Sequence, residues 1–509
     1  MRLPHVWSAG TARRTLLSWA AVGLAMLAAM AFAPPPALAS APAHSTTVYT
    51  KLLSTDPYAD TFSAHKTEVE PDVTAYGATI VSAFQVSRYS GGGSANIGWA
   101  ASLNGGRTWQ SGFLPYATIT GTPPGSYLLG SDASVAYDAR YHTWLISWLA
   151  IASPTVIDVA VSRSPDGIHW SAPVTVAARG EFLDKPWISC DNSRLSPFFG
   201  NCYTEFEDVT GNDLIFMATS ADGGLTWPKL SNTADMAEGL GGQPVVQPGG
   251  RVIVPIVVFT ASGDTIASFI SDDGGATWSV THLIAKVAGA TDAGGIRDGG
   301  DLPSARIDGS GRVYTVWSDC RFEPGCTAND LVLSTSADGI TWAAPKLIPI
   351  DPVGSGADHF TPGLAVDPLT AGAYAHLALT YYYYPQANCT FTTCQLNVGF
   401  VSSVNGGRSW SRPLHVAGPM MLGWLAPTSS GYMAGDYCAT AIVPGTLAAF
   451  PLFAAAGPPT GTVLDENTYT AYVSVTGGPV TASTVPEYAS QARPLPAHPP
   501  HRLLTRIPH

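Results

Sequence analysis

Short apolar runs rich in Val, Ile, Ala, Phe and Tyr recur along almost the whole chain, each closed off by Gly, Pro, Asn, Asp or Ser. Runs of that kind predict β-strands joined by tight turns. Beyond the N-terminal leader, no long stretch has the 3.6-residue period of an amphipathic helix. Six of the runs, at 97–101, 156–161, 214–218, 265–270, 330–333 and 396–401, lead into one phrase. It consists of a small polar residue, Asp or Asn, Gly, usually a second Gly, a variable residue, Ser, Thr or His, then Trp. The phrase ends at Trp109, Trp170, Trp227, Trp278, Trp342 and Trp410. Asp or Asn before Gly supplies the side-chain-to-backbone bond and the positive φ of a hairpin turn. The Trp begins the following strand, where its ring can pack on the neighbouring unit. These residues are expected to build turns rather than a site.

The phrases are spaced by about sixty residues, a period that marks an array of supersecondary units. SADGGLTW, SDDGGATW and their four counterparts resemble the Asp box, or BNR repeat, of sialidase-like β-propellers, over nearly the whole chain after the leader. The resemblance implies an all-β ring of blades, with the boxes on turns away from the ligand face. A second repeat opens each unit with a short strand after a polar residue, often beside Pro. The openings are EPDVTAY from Glu70, SDASVAYD from Ser131, DKPWISCD from Asp184, GQPVVQPGG from Gly242, DLPSARIDGSG from Asp301, FTPGLAVD from Phe360 and GDYCATAIVPG from Gly435. Seven openings stand against six boxes, and the seventh unit ends in NTYTAYVSVTGG, a box-like strand without the Trp. A strand at 46–53 is placed to complete the last blade. The expectation is a β-propeller of seven four-stranded antiparallel blades, with six, the number the resemblance implies, as the alternative. The organisation read from the chain is a signal peptide at 1–39, an N-terminal segment with the ring-closing strand at 40–69, the propeller at 70–480 and a Pro-rich tail at 481–509.

The 509 residues include 52 Gly and 41 Pro and are only 12% charged, which suits short strands and many turns. Arg13 and Arg14 precede an apolar run from Leu16 to about Ala33, and Ala37-Leu38-Ala39 offers a small-residue cleavage site. This is the pattern of a secretory signal, with twin-arginine export as the alternative. No later stretch is apolar enough to span a membrane, so a secreted monomer is expected. Seven cysteines fit an oxidising compartment. Cys320 with Cys326 and Cys389 with Cys394 each bracket a short loop, Cys190 and Cys202 can close a hairpin, and Cys438 is left over in the interior. A formal charge of −12 without a basic cluster excludes nucleic acid and acidic membrane as main partners. No Cys or His spacing marks a zinc site. No cofactor is expected, and a calcium ion in the central channel is left open.

In a propeller, the start of each innermost strand and the loop after the second strand reach one face. That topology gathers Glu70, Asp72, Asp132, Asp184, Lys185, Gln243, Asp301, His359 and Asp436 from the openings. From the ends of second strands it gathers Arg88, Tyr89, Glu205, Glu207, Asp319 and Arg321, with Tyr381, Tyr382, Tyr383 and Tyr384 in the equivalent place of the sixth unit. Such a mouth suits an anionic or polyhydroxylated ligand, and paired carboxylates suit glycoside cleavage. The candidate catalytic residues are Asp319, Glu205, Tyr203 and Asp184. Candidate ligand-binding residues are Arg88, Arg321, Arg297, Tyr382, Tyr384, Glu70, Asp132, His359 and Asp436.

The resemblance implies an exo-sialidase, with three arginines on the sugar carboxylate, a Tyr nucleophile activated by Glu, and an Asp acid/base. Tyr203 with Glu205 imitates the Tyr/Glu pair. The first arginine belongs in an Arg-Ile-Pro at the first opening, where this chain reads Val69-Glu70-Pro71. A carboxylate stands where the cation belongs. Three readings follow: a secreted glycoside hydrolase acting on terminal sugars of extracellular glycans, a non-catalytic glycan- or surface-binding propeller, and a structural or partner-binding propeller.

Overall fold

The computed structural model describes residues 48–476, so the expected leader (1–39) and the tail from 481 lie outside the described residues. Within that span the helical elements are single 3-10 turns and everything else regular is β-strand. Among the described residues, no helix is long and apolar enough to cross a membrane.

The chain folds as a succession of antiparallel meanders. The third strand of six of them contains an apolar run read above and ends at the Asp-Gly phrase: Ser94–Ser102, Val156–Ser164, Leu214–Ser220, Thr265–Ser271, Asp330–Ser336 and Gln395–Ser403. Five units are regular four-stranded blades, those opening with Ala64–Tyr76, Leu129–Asp138, Leu183–Cys190, Ser304–Ile307 and Asp358–Val366.

The expectation of seven such blades is corrected accordingly. In the unit ending at His282–Lys286, the first strand is broken into Gly239–Leu240 and Val245–Val246. Two glycines and Pro244, which cannot donate to the ladder, occupy the break. The last group has three consecutive strands, Ala439–Ile442, Ala448–Ala456 and Glu466–Ala471, and its further partner Thr50–Leu52 comes from the other end of the chain. Ala64–Tyr76 begins before residue 70, and its Thr67 meets Glu466 in a parallel bridge. The first strand of each unit lies against the first strand of the next, and Ala439–Ile442 lies against Ala64–Tyr76. The first strands therefore form a closed ring.

The core lies between units. Trp278 packs with Val254 and Phe269 of its own unit and with Tyr203 and Met217 of the one before. Trp342 donates from Nε1 to Ser268 Oγ of the preceding unit at 2.9 Å. Each such ring removes apolar surface from water on two units at once, a gain of about 1.5–3 kcal/mol per large side chain. The turns before them repeat one hydrogen-bond set. Ser220 Oγ–H donates to Asp222 Oδ1 (2.8 Å) and accepts from Gly224 N–H (2.9 Å), while Thr226 N–H donates back to Asp222 Oδ1 (2.9 Å). Ser271, Asp273, Gly275 and Thr277 do the same. Gly275 has φ 83°, and a Cβ there would lie 2.2 Å from Thr219 Oγ1. Disulfides join Cys190–Cys202, Cys320–Cys326 and Cys389–Cys394, and Cys438 is free and buried.

Candidate functional site

Four units begin their first strand with the same irregularity. Glu70, Asp132, Lys185 and Thr361 have φ of 54°, 46°, 50° and 49°. At each, the pairing with the second strand slips. Left-handed backbone costs a non-glycine residue about 1–3 kcal/mol and persists only where its surroundings over-determine it. A bulge re-aims its side chain, and here the re-aimed side chains of Glu70, Asp132 and Lys185 meet. The residues just beyond lock one unit to the next: Val135 N–H donates to Asp72 Oδ2 (2.8 Å), Ile188 N–H to Ser134 Oγ (3.1 Å) and Leu364 N–H to Ser304 Oγ (3.0 Å).

Lys185 is the hub of the cluster. Its Nζ lies 3.1 Å from Asp132 Oδ2, 2.5 Å from Asp436 Oδ2 and 4.0 Å from Glu70 Oε1. Arg297 reaches Asp436 from the other side, with Nε at 2.8 Å from Oδ1 and Nη2 bonded to Oδ2. The loop carrying Arg297 is held by the parallel pairing of Ile296–Arg297 with Gly431–Met433. Two residues on, Gly299 (φ 78°) passes so close to Asp436 that a Cβ would sit 2.2 Å from its carbonyl oxygen. Glu70 accepts from Gln85 Nε2 and, at 3.1 Å, from the N–H of Asp436.

Burial and the neighbouring Asp132 and Asp436 charges push the Glu70 carboxyl up to about 8. Burial also works against ionisation of Asp436, but Lys185 and Arg297 outweigh it and hold that carboxyl below its ordinary range. Burial similarly opposes ionisation of Asp132, and Lys185 with the Ser131 hydroxyl wins there too. For Lys185, desolvation is overcome by Asp132, Asp436 and Glu70, so its ammonium is held well above the ordinary range. Asp184 is pushed up to about 6 by burial and by Asp132. Carboxyl groups with opposite protonation tendencies thus stand side by side.

A narrow concave opening borders this cluster, its lining side chains largely buried. Asp132, Lys185, Gln243, Asp436, Trp187 and Tyr437 line it, with Leu302 and Thr361. The Trp187 and Tyr437 rings meet edge to face at 5.1 Å between centroids, and Lys185 Nζ lies 6.0 Å from the centre of the Tyr437 ring.

Residues 147–366 match a family model described as a BNR repeat-like domain. No curated protein matches it in sequence. Among solved structures it is similar to the Hadza microbial sialidase Hz136 at 13% identity and TM-score 0.44, over 76% of this chain and 75% of that one. NanB sialidase from Streptococcus pneumoniae aligns at 15% identity and TM-score 0.41, over 83% and 70% of the two chains. The α-L-arabinofuranosidase Arb93A from Fusarium graminearum aligns at 14% and 0.40, over 68% and 93%. Likeness at that level carries no argument about activity, so the site is read from this chain's own residues.

Of the residues singled out in the sequence, Asp132, Lys185, Gln243 and Asp436 line the mouth, Glu70 and Arg297 bond to Asp436, Asp184 neighbours Asp132, and several others stand elsewhere. Arg88 is buried, donating to the carbonyls of Tyr89 (2.8 Å) and Gly93 (2.7 Å) and facing Met433 Sδ at 3.4 Å, so its guanidinium is a loop strut. Arg321 closes on Asp319 through its guanidinium at 2.8 and 2.5 Å and its backbone N–H at 2.9 Å, and Trp317 Nε1 adds a fourth hydrogen bond to the same carboxylate at 3.0 Å. Asp319 is thus fully buried, its charge taken up by Arg321. Tyr203 pairs with Thr219 beside the Asp box, at the far end of its strand from Asp184, and its ring packs against Trp278. It is a core residue. Glu205 is fully buried and accepts from Gly242 N–H at 2.9 Å; burial holds its carboxyl well above the ordinary range. Tyr382 donates to Ala454 O (2.8 Å) and accepts from Ala454 N–H (2.9 Å), and Tyr384 donates to Ala293 O (3.3 Å), so both are packing residues. His359 is buried beside Asp330 and Asp351.

Trp187 and Tyr437 were missed. The signal was present: each follows an opening residue, Lys185 or Asp436, by one or two positions.

Proposed function

We propose that the mouth of this BNR propeller binds a neutral, polyhydroxylated sugar of an extracellular glycan, the leader at 1–39 carrying the protein out of the cell. The observation that carries this reading is the lining itself. Two aromatic rings, Trp187 and Tyr437, stand beside carboxylate and amide groups in one concavity, the combination that stacks on a sugar face and bonds its hydroxyls. A sialic acid carboxylate is a poor fit. Lys185 and Arg297 are already neutralised by Asp132 and Asp436. A second anion there would meet carboxylates, not free cations. The test is titration of purified protein with neutral and sialylated oligosaccharides by calorimetry. Saturable binding of a neutral glycan, weakened at least tenfold in Trp187→Ala, is expected; binding restricted to sialylated glycans overturns the reading.

One observation favours hydrolysis beside the same mouth. Asp184, partly exposed and pushed up to about 6, neighbours the ionised Asp132. Two carboxyls driven apart in this way can divide into a proton donor and an anion. Sugar release measured by mass spectrometry, lost in Asp184→Asn while binding survives, identifies that chemistry; no release from any glycan leaves binding alone.

A further inference from the structure

Outside the lining of the mouth, three side chains from two neighbouring units point at one spot. Asp330 opens the strand Asp330–Ser336, Asp351 lies on the link that leaves the same unit, and His359 sits on the first strand of the next, Asp358–Val366. One ligand atom from each lies within 4.8 Å of the others. Asp330 is 5% exposed and His359 2%. Asp330 Oδ2 and His359 Nδ1 are both buried with no hydrogen-bond partner among the described residues. Leaving a buried polar atom unpaired costs about 1–3 kcal/mol, and two at one spot call for a common partner. The ring of His359 is fixed between Tyr381 and Tyr383, at 5.6 and 6.0 Å between centroids, so it cannot swing out to water. Asp351 is the outermost of the three and is steadied by Ser355 Oγ–H at 2.5 Å from its Oδ2.

We propose that Asp330, Asp351 and His359 form a binding site for a divalent cation of the zinc or manganese class, which staples two adjacent units of the propeller. An ion with bonds of about 2.0–2.2 Å touches all three after side-chain movements of about 1 Å. Two carboxylates and one imidazole offset its charge, and water completes the shell. The imidazole selects the class: calcium and magnesium take oxygen ligands, whereas Zn²⁺ accepts nitrogen and oxygen together. The staple closes a seam otherwise joined through packing, backbone contacts such as His359 N–H to Asn329 O (2.9 Å), and the hydrogen bond from Asn329 N–H to Asp358 Oδ1 (2.7 Å). An ion bound only by the folded chain stabilises it by mass action.

The test uses the full chain, stripped with chelator and then titrated with Zn²⁺, Mn²⁺ or Ca²⁺ by calorimetry, with melting followed in parallel. One equivalent of Zn²⁺ or Mn²⁺ is expected to bind and raise Tm by about 3 °C at a hundredfold excess over Kd, with Ca²⁺ at least tenfold weaker. Asp351→Asn, on the partly exposed link, should weaken uptake at least tenfold without lowering the Tm of the metal-free protein. His359→Gln should abolish it. Uptake of Zn²⁺ unchanged by both substitutions, as from histidines elsewhere in the chain, overturns the proposal. So does the absence of saturable uptake in the unaltered protein.

Discussion

Lys185 Nζ lies 2.5 Å from Asp436 Oδ2, so a lysine on the third first-strand of the ring is tied to a carboxylate just before the last. With Asp132 at 3.1 Å and Arg297 on the far side of Asp436, the pair braces the ring across its mouth. Buried ion pairs seldom add net stability, but removing one partner leaves the others uncompensated. Lys185→Met is expected to cost about 3–5 kcal/mol. Adding Asp132→Asn to it should cost less than the sum of the two single changes. Urea denaturation of the four proteins measures the coupling, and strict additivity would contradict the bracing role.

Stability should fall as pH rises from weakly acidic to weakly alkaline. Burial pushes Glu68, whose Oε2 accepts from Thr468 N–H at 3.1 Å, up to about 8 from an ordinary 4.5. Asp72 and Asp184 are pushed up to about 6, by burial first. Between the ordinary and the folded values the native chain holds a proton that the unfolded chain has released. Each such group therefore subtracts up to about 1.4 kcal/mol per pH unit over that window. Asp132 and Asp436, held low, act oppositely: their contribution is present above the ordinary carboxylate range and is lost as pH falls through their depressed values. Tm should accordingly be higher near pH 5 than near pH 8.5, and Glu68→Gln should flatten the slope. A Tm that rises steadily from pH 5 to 8.5 would rule this out.

The Asp boxes and the mouth should respond independently. Third strands run parallel to first strands, so each box lies at the end away from the mouth. Asp222→Ala removes the acceptor for Thr226 N–H, Thr226 Oγ–H, Leu225 N–H and Ser220 Oγ–H, and should cost about 1–2 kcal/mol. Trp278→Ala should cost about 3–5 kcal/mol. In both variants, glycan affinity measured below the melting transition should stay within twofold of the unaltered protein. A tenfold loss would mean that the box end belongs to the site.

Local chemistry explains what the sequence revealed. Turn residues, third strands and close cysteine pairs depend on neighbours along the chain, and they could be read from SADGGLTW or from Cys389 and Cys394. Side-chain destinations depend on neighbours across the ring. Strand position alone gathers Tyr381–Tyr384 at the mouth, yet Tyr381, Tyr382 and Tyr384 are each at most 1% exposed because the sheet is covered on both faces. Arg88 ends its strand as expected, but turns into the loop carbonyls of Tyr89 and Gly93. Arg297 comes to the mouth only because its loop pairs with Gly431–Met433, a contact with no local signature. The link residue Asp351 likewise acquires meaning only when His359 and Asp330 arrive beside it.

The central claim is that a mouth whose cations are already neutralised recognises a neutral sugar. The most direct measurement is calorimetric titration of one oligosaccharide with and without its terminal sialic acid, using the unaltered protein and Trp187→Ala. The account predicts saturable binding of the neutral form, no gain from the sialic acid, and at least a tenfold loss in the variant. Binding that requires the sialic acid, or that is indifferent to Trp187, would contradict it.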